Sequence, residues 1–332
     1  MRSLRVPLVP LMSLLTVGSL ALSACGAGES TTEAEEATGS ETRVVETGQG
    51  EVSVPGAPER VVVLNHALAG YLYHLDVPVV GVIPETADTE GAFSEHWAQA
   101  AEEDGTEILP WSADGFDLEA ILGLEPDLII AGGLGFPHFQ AVEAYDRLGE
   151  IAPTVIVDDT RTTWQDQFSF LAEEVFESPE RYEELAATYD ERVEEVAAAI
   201  TVPPNPATFL TVTADQTPYV LIEDMGLPET FARLGFETDT LFTENDFEPY
   251  TAGGDMFEIS SEQVGRIVDA PTVFIIGFHG DTADVESLSE SSVYAALPAF
   301  EEGNAYDLPH WGLRGDYDEE LALLDIVEEQ FS

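Results

Sequence analysis

Lysine is absent from this chain of 332 residues; all 11 basic residues are Arg, set against 65 Asp and Glu for a formal net charge of −54. Without lysine there is no P-loop, no Schiff base to pyridoxal phosphate or a carbonyl substrate, and no lysine general base. Cysteine occurs once, at Cys25, so no disulfide can form within the chain. Neither G-x-S-x-G nor H-E-x-x-H occurs, which removes the commonest serine-hydrolase and zinc-protease signatures. Such acidity repels nucleic acid and anionic lipid headgroups, and excludes both as partners. Self-repulsion is tolerated best where salt shortens the Debye length. The charge therefore fits a saline setting, or a drift toward acidic, GC-rich codons.

What is present begins at the N-terminus. Arg2 and Arg5 precede an apolar stretch from Val6 to Leu22, and polar sequence follows at once. This is the layout of a secretory signal. The apolar part is interrupted by Pro, Ser, Thr and Gly, which argues against a permanent membrane span. Leu22-Ser23-Ala24-Cys25 looks like the lipobox of bacterial lipoproteins, whose thiol is acylated and becomes the new N-terminus. Residues 1–24 are thus expected to be a lipoprotein signal peptide. Residues 25–42 are small and acidic without apolar periodicity, and read as a flexible linker. The body would sit on the outer face of the cytoplasmic membrane, held by lipid at Cys25.

The body has ample material for a core, with 44% hydrophobic and 9% aromatic residues. Arg60-Val61-Val62-Val63-Leu64, a helical pattern over Ala67–Leu75, and Val79-Val80-Gly81-Val82-Ile83 make a strand–helix–strand unit of the parallel-sheet kind. Leu118, Ile121, Leu122 and Leu124 predict a helical face before the strand Leu128–Ala131, and a short helix through Tyr145 and Leu148 precedes Thr154–Val157. Ser178-Pro179 then opens a long helix, with Ser as N-cap and Pro at the first helical position. Its stripe is Tyr182, Leu185, Ala186, Tyr189, Val193, Val196, Ala197 and Ile200, and Pro203-Pro204 ends it. The second half repeats the pattern with strands Phe209–Val212 and Thr272–Ile276 and a helix near Thr230–Leu234. The expectation is an α/β fold with two Rossmann-like lobes bridged by a single long α-helix: an N-terminal lobe at 43–160, a bridging segment at 161–202 and a C-terminal lobe at 203–332.

Several segments occur in an order that resembles the extracytoplasmic substrate-binding proteins of ABC importers for ferric siderophores, cobalamin and haem. They are Pro58-Glu59-Arg60-Val61-Val62-Val63-Leu64, Phe116-Asp117-Leu118-Glu119 through Pro126-Asp127-Leu128-Ile129-Ile130, and Ile151-Ala152-Pro153-Thr154. Trp164-Gln165, Ile259-Ser260-Ser261-Glu262-Gln263-Val264, Gly303-Asn304-Ala305-Tyr306 and Arg314-Gly315-Asp316-Tyr317 follow. The Ile-Ala-Pro-Thr and Arg-x-Asp-Tyr elements lean toward ferric siderophores. The resemblance implies a monomeric, non-enzymatic binding protein with no cofactor of its own. It would capture a ferric siderophore in the cleft and deliver it to an ABC permease dimer with its ATPase subunits. One exposed Glu per lobe, here Glu119 and Glu262, would dock on permease Arg residues.

A ferric chelate is a bulky, semi-polar disc that needs flat apolar contact and donors aimed at metal-bound oxygens. Arg314 is the best donor and Trp311 the neighbouring apolar surface, with Arg161 and Trp164 a weaker pair. Asn65, His66, Trp111, Phe136, His138, Tyr219, Tyr250 and His279 complete the candidate lining, although loop histidines and aromatics are more often structural. The alternatives are haem held axially by His138 with Tyr219 or Tyr250, a free metal ion among His66, His138, His279 and His310, a secreted enzyme, and an adhesin reading Arg314-Gly315-Asp316.

Overall fold

A computed structural model describes residues 42–278, 280 and 282–332. The expected signal segment, Cys25, the linker up to residue 41 and His279 lie outside the described residues. The body opens with an antiparallel hairpin, Thr42–Thr47 with Gly50–Pro55, that the sequence reading had not placed.

The β-branched run Val61–Leu64 is buried throughout, as a strand covered on both faces must be. It is the centre of a five-stranded parallel sheet in the order Glu107–Ile108, Val79–Val82, Val61–Leu64, Leu128–Gly132 and Thr154–Val157. Helices His66–His74, Leu118–Gly123 and Phe136–Gly149 alternate with these strands. In the second of them Ile121 and Leu124 face the core, but Leu122 is 57% exposed, so the expected apolar face is narrower than the spacing suggested.

The second sheet runs Met256–Glu258, Pro218–Leu221, Ala207–Val212, Thr272–Gly277, Ala305–Leu308. It is mixed: Pro218–Leu221 is antiparallel to both its neighbours, whereas the other pairs are parallel. Only residues 213–217 join Ala207–Val212 to Pro218–Leu221. A link that short permits a hairpin and forbids a parallel crossover.

Between the sheets, helix Trp164–Ser169 runs into a wide π-helical turn, Phe170–Val175, and then the 21-residue helix Pro179–Ala199. Leu185, Tyr189, Val193 and Val196 form its buried stripe, while Ala197 is exposed. Ser178 stands at the N-cap position, but its hydroxyl donates to the Phe176 carbonyl at 3.3 Å instead of capping.

The C-terminal helix Tyr317–Phe331 closes the molecule. It packs on the long helix, where Tyr189 Oη donates to Glu320 Oε2 at 3.1 Å, and reaches the first lobe, where His74 Nε2 lies 2.9 Å from Asp318 Oδ2. Buried residues of both lobes, from Val61 to Phe274 and Phe331, belong to one continuous apolar cluster. Large separation of the lobes would expose that shared core, so the hinge can open only modestly.

Candidate functional site

The strand Ala305–Leu308 runs through Pro309 into a tight turn, His310–Arg314, and the C-terminal helix begins at Tyr317, after Gly315 and Asp316. Asp316 fixes that junction. Its Oδ1 accepts from the backbone N–H of Asp318 at 3.0 Å and Glu319 at 3.1 Å, and Glu319 Oε2 accepts from the N–H of Asp316 at 3.0 Å. This reciprocal cap holds the backbone just past Arg314 and sets its side chain toward the first lobe.

The guanidinium is gripped from behind. Arg314 Nε donates to Asp255 Oδ2 and Nη2 to Asp255 Oδ1, each at 2.6 Å, and Nη2 also donates to Tyr250 Oη at 3.1 Å. Burial alone would lower the Arg314 pKa, but the charge and hydrogen bonds of Asp255 raise it above its ordinary value. Nη1 takes no part in this clamp.

The first lobe meets Arg314 with backbone. After strand Leu128–Gly132 the chain turns through Gly133-Leu134-Gly135, and the Gly135 N–H donates to Gly253 O of the second lobe at 2.9 Å. Gly135 has φ +78°, and a Cβ there would stand 2.7 Å from Arg314 Cζ and 2.8 Å from Tyr250 Oη. Only glycine allows this approach. Asn65, at the end of the central strand, accepts from the Ala67 N–H at 3.1 Å and donates to Gly132 O at 2.7 Å, so its amide ties two strand ends together.

Two adjoining cavities flank Arg314 at the carboxyl ends of the parallel strands, the position where α/β folds bind ligands. The first is lined by Asn65, His66, Pro84, Leu134, Trp311 and Leu313 with Glu85 and Glu319. The second includes Tyr71, Trp164, Gln167, Thr230 and Glu320. Glu319 Oε1 accepts from Ser94 Oγ at 2.6 Å, and Glu320 Oε2 from Thr230 Oγ1 at 2.9 Å. Burial pushes both carboxyls up to about 7, and raises that of Asp316 well above its ordinary value.

Of the residues expected from sequence, Arg314, Trp311, Asn65 and His66 meet in the first cavity and Trp164 lines the second. Tyr250 supports Arg314 from behind, and Tyr219 stands behind Tyr250 with ring centroids 6.0 Å apart. The other candidates go elsewhere. Arg161 turns away from the cleft to pair with Glu174 at 3.6 Å and lie over the Phe170 ring at 4.0 Å. Trp111 is a core residue whose Nε1 donates to Gln140 Oε1 at 2.6 Å. Phe136 stacks on Phe139 in an outer groove.

His138 is buried against Gly253, its Nε2 3.8 Å from Asp159. Neither it nor Tyr250 lines the cavities at Arg314, so the axial pair imagined for haem is not assembled there. Among the described residues no group of three or more His, Cys, Asp or Glu could hold a metal ion. His66, packed on Trp97, and His310, 3.6 Å from Glu85, share the cleft mouth, whereas His138 stands apart against Gly253. Asp255, Glu319 and Glu320 escaped the sequence reading. Asp255 lies 59 positions from Arg314, and the doubled glycine before it was its sole signal.

Glu119 and Glu262 occupy equivalent places. Each is exposed and is the second residue of a short helix, behind the N-caps Asp117 and Ser260, and two residues before a buried Ile121 or Val264.

Two α/β lobes with adjoining cavities between them, and one clamped guanidinium at their junction, are the layout of a solute-binding protein. The chain belongs to the periplasmic binding protein family, which it matches over residues 61–310. It is 25% identical over 296 residues to the ferric enterobactin-binding periplasmic protein FepB of Escherichia coli O6:H1, covering 87% of this chain and 91% of that protein. It is also 25% identical over 338 residues to the Fe(3+)-citrate-binding protein YfmC of Bacillus subtilis, with both chains covered in full. Among solved structures, Staphylococcus aureus SirA complexed with staphyloferrin B superposes with a TM-score of 0.70 at 21% identity, over 88% of this chain and 99% of that one. That likeness concerns the fold.

Proposed function

We propose that this chain is the solute-binding component of an ABC importer, and that it captures a ferric siderophore outside the cytoplasmic membrane and delivers it to the permease. The observation that carries this is Arg314, held rigid by Asp255 and Tyr250 beside a cavity that Trp311, Leu313 and Leu134 help to line, with Nη1 outside the clamp. A guanidinium so placed can donate to metal-bound oxygens of a chelate while Trp311, Leu313 and Leu134 cover its organic shell. Relatives named for ferric enterobactin and Fe(3+)-citrate support iron held in a chelate as the cargo. Iron thus arrives as substrate, and the protein acts as a monomer.

Glu119 and Glu262 would dock on the two permease subunits, and Cys25 would carry the lipid anchor. Among the described residues no helix is long and apolar enough to cross a membrane. The test is a titration of the purified protein with ferric siderophores, following tryptophan emission. Saturable quenching is expected, since Trp311 and Trp164 line the cavities. A flat response to hydroxamate and catecholate complexes alike would refute the reading.

A further inference from the structure

The side chains around Arg314 also bear on which chelate is taken. We propose that the cargo is an uncharged or cationic ferric trihydroxamate, and that the cleft rejects polyanionic tricatecholate complexes; this rests on the siderophore-capture reading above.

Chemistry separates the two classes by charge. Iron(III) bound by three hydroxamates, each singly negative, is neutral. Bound by three catecholates, each doubly negative, it is a trianion. The cleft offers little to such an anion. Among the described residues Arg314 is the only Arg lining the three cavities around it, and Asp255 already compensates its charge. Glu85 and Glu319 line the first cavity, Glu320 the second, and Glu95 joins Glu85 and Glu319 at the mouth. The remaining titratable lining is His66, His310 and Tyr71, with His310 beside Glu85.

The other side chain with a forked cation near this region, Arg161, is engaged with Glu174 outside the cleft. A trianion would therefore enter beside Glu85 and Glu95, and Glu319 and Glu320 add their charge as pH rises through about 7, on a protein of net charge −54. Like-charge juxtaposition in a partly desolvated cleft is a strong device for rejecting a ligand. A neutral chelate meets no such penalty. Its carbonyl oxygens can accept from Arg314 Nη1, and its aliphatic arms fit Pro84, Leu134, Pro137, Trp311 and Leu313.

The experiment titrates the full-length protein at pH 8, where Glu319 and Glu320 are ionised, with three iron-loaded probes at low and high sodium chloride: ferrichrome (neutral), ferrioxamine B (monocationic) and ferric enterobactin (trianionic). At low salt at least one trihydroxamate should bind about tenfold or more tighter than ferric enterobactin, and the gap should narrow as salt screens the cleft. Glu85→Gln and Glu319→Gln should each narrow it further. Ferric enterobactin binding as tightly as the trihydroxamates would overturn this inference and leave the capture reading intact. A gap unmoved by salt and by both substitutions would overturn its electrostatic basis. Failure of all three probes would overturn the capture reading as well.

Discussion

Asp255 and Arg314 form a forked ion pair with two bonds of 2.6 Å, and both side chains are largely buried. The pair fixes the guanidinium before any ligand arrives, so little side-chain entropy is lost on capture. It also joins the binding role of Arg314 to the fold of the second lobe.

Removing one partner strands the other. Arg314→Ala should lower stability by about 3 kcal/mol, because a buried carboxylate is left unpaired. Arg314→Ala combined with Asp255→Asn should recover most of that loss in urea denaturation. Both variants should bind chelate weakly. A single variant as stable as wild type would show that the pair is not energetically buried.

Glu319 and Glu320 make stability fall with rising pH. Burial raises Glu320 from an ordinary 4.5 to about 7, and Glu319 to about 7 as well. Between those values the folded state binds more protons than the unfolded state, so stability is full below pH about 4.5 and is lost as pH rises through about 7. For one such group the loss is about 3 kcal/mol. Glu320→Gln keeps acceptors for Tyr189 and Thr230 and should flatten the curve. Parallel curves for variant and wild type in melts from pH 5 to 8 would contradict this.

Gly135→Ala places a methyl group against Arg314 and Tyr250 in a backbone region that side chains avoid. A cost of about 1–3 kcal/mol is expected from the backbone alone. Displacing Arg314 should weaken chelate binding about tenfold, which is one hydrogen bond's worth of affinity. Gly149→Ala, where nothing lies within 4 Å, is the control and should change neither.

Glu119→Ala with Glu262→Ala should leave chelate affinity and melting temperature unchanged, since both side chains are exposed and line neither cavity. Iron uptake by cells carrying the double variant should stop. Normal uptake would remove the docking role from both residues.

Local pattern was enough to place much of this protein. Buried strands such as Val61–Leu64 and Thr272–Gly277 show as β-branched runs because both faces are covered, and the long helix shows through its stripe of Leu185, Tyr189, Val193 and Val196. Arg314 stood out because cations are scarce, and the segments around it carried the family. The antiparallel Pro218–Leu221 strand was not legible, because a four-residue run opened by Pro has no periodicity of its own and gains its place from neighbours. Nor could sequence separate Arg314, which faces the cleft, from Arg161, which folds back onto Phe170 and Glu174. The clamp by Asp255 and the burial of Glu319 and Glu320 arise from segments far apart in the chain. Spacing records which face a residue shares with its near neighbours; charge compensation and desolvation depend on what the fold brings against it from elsewhere.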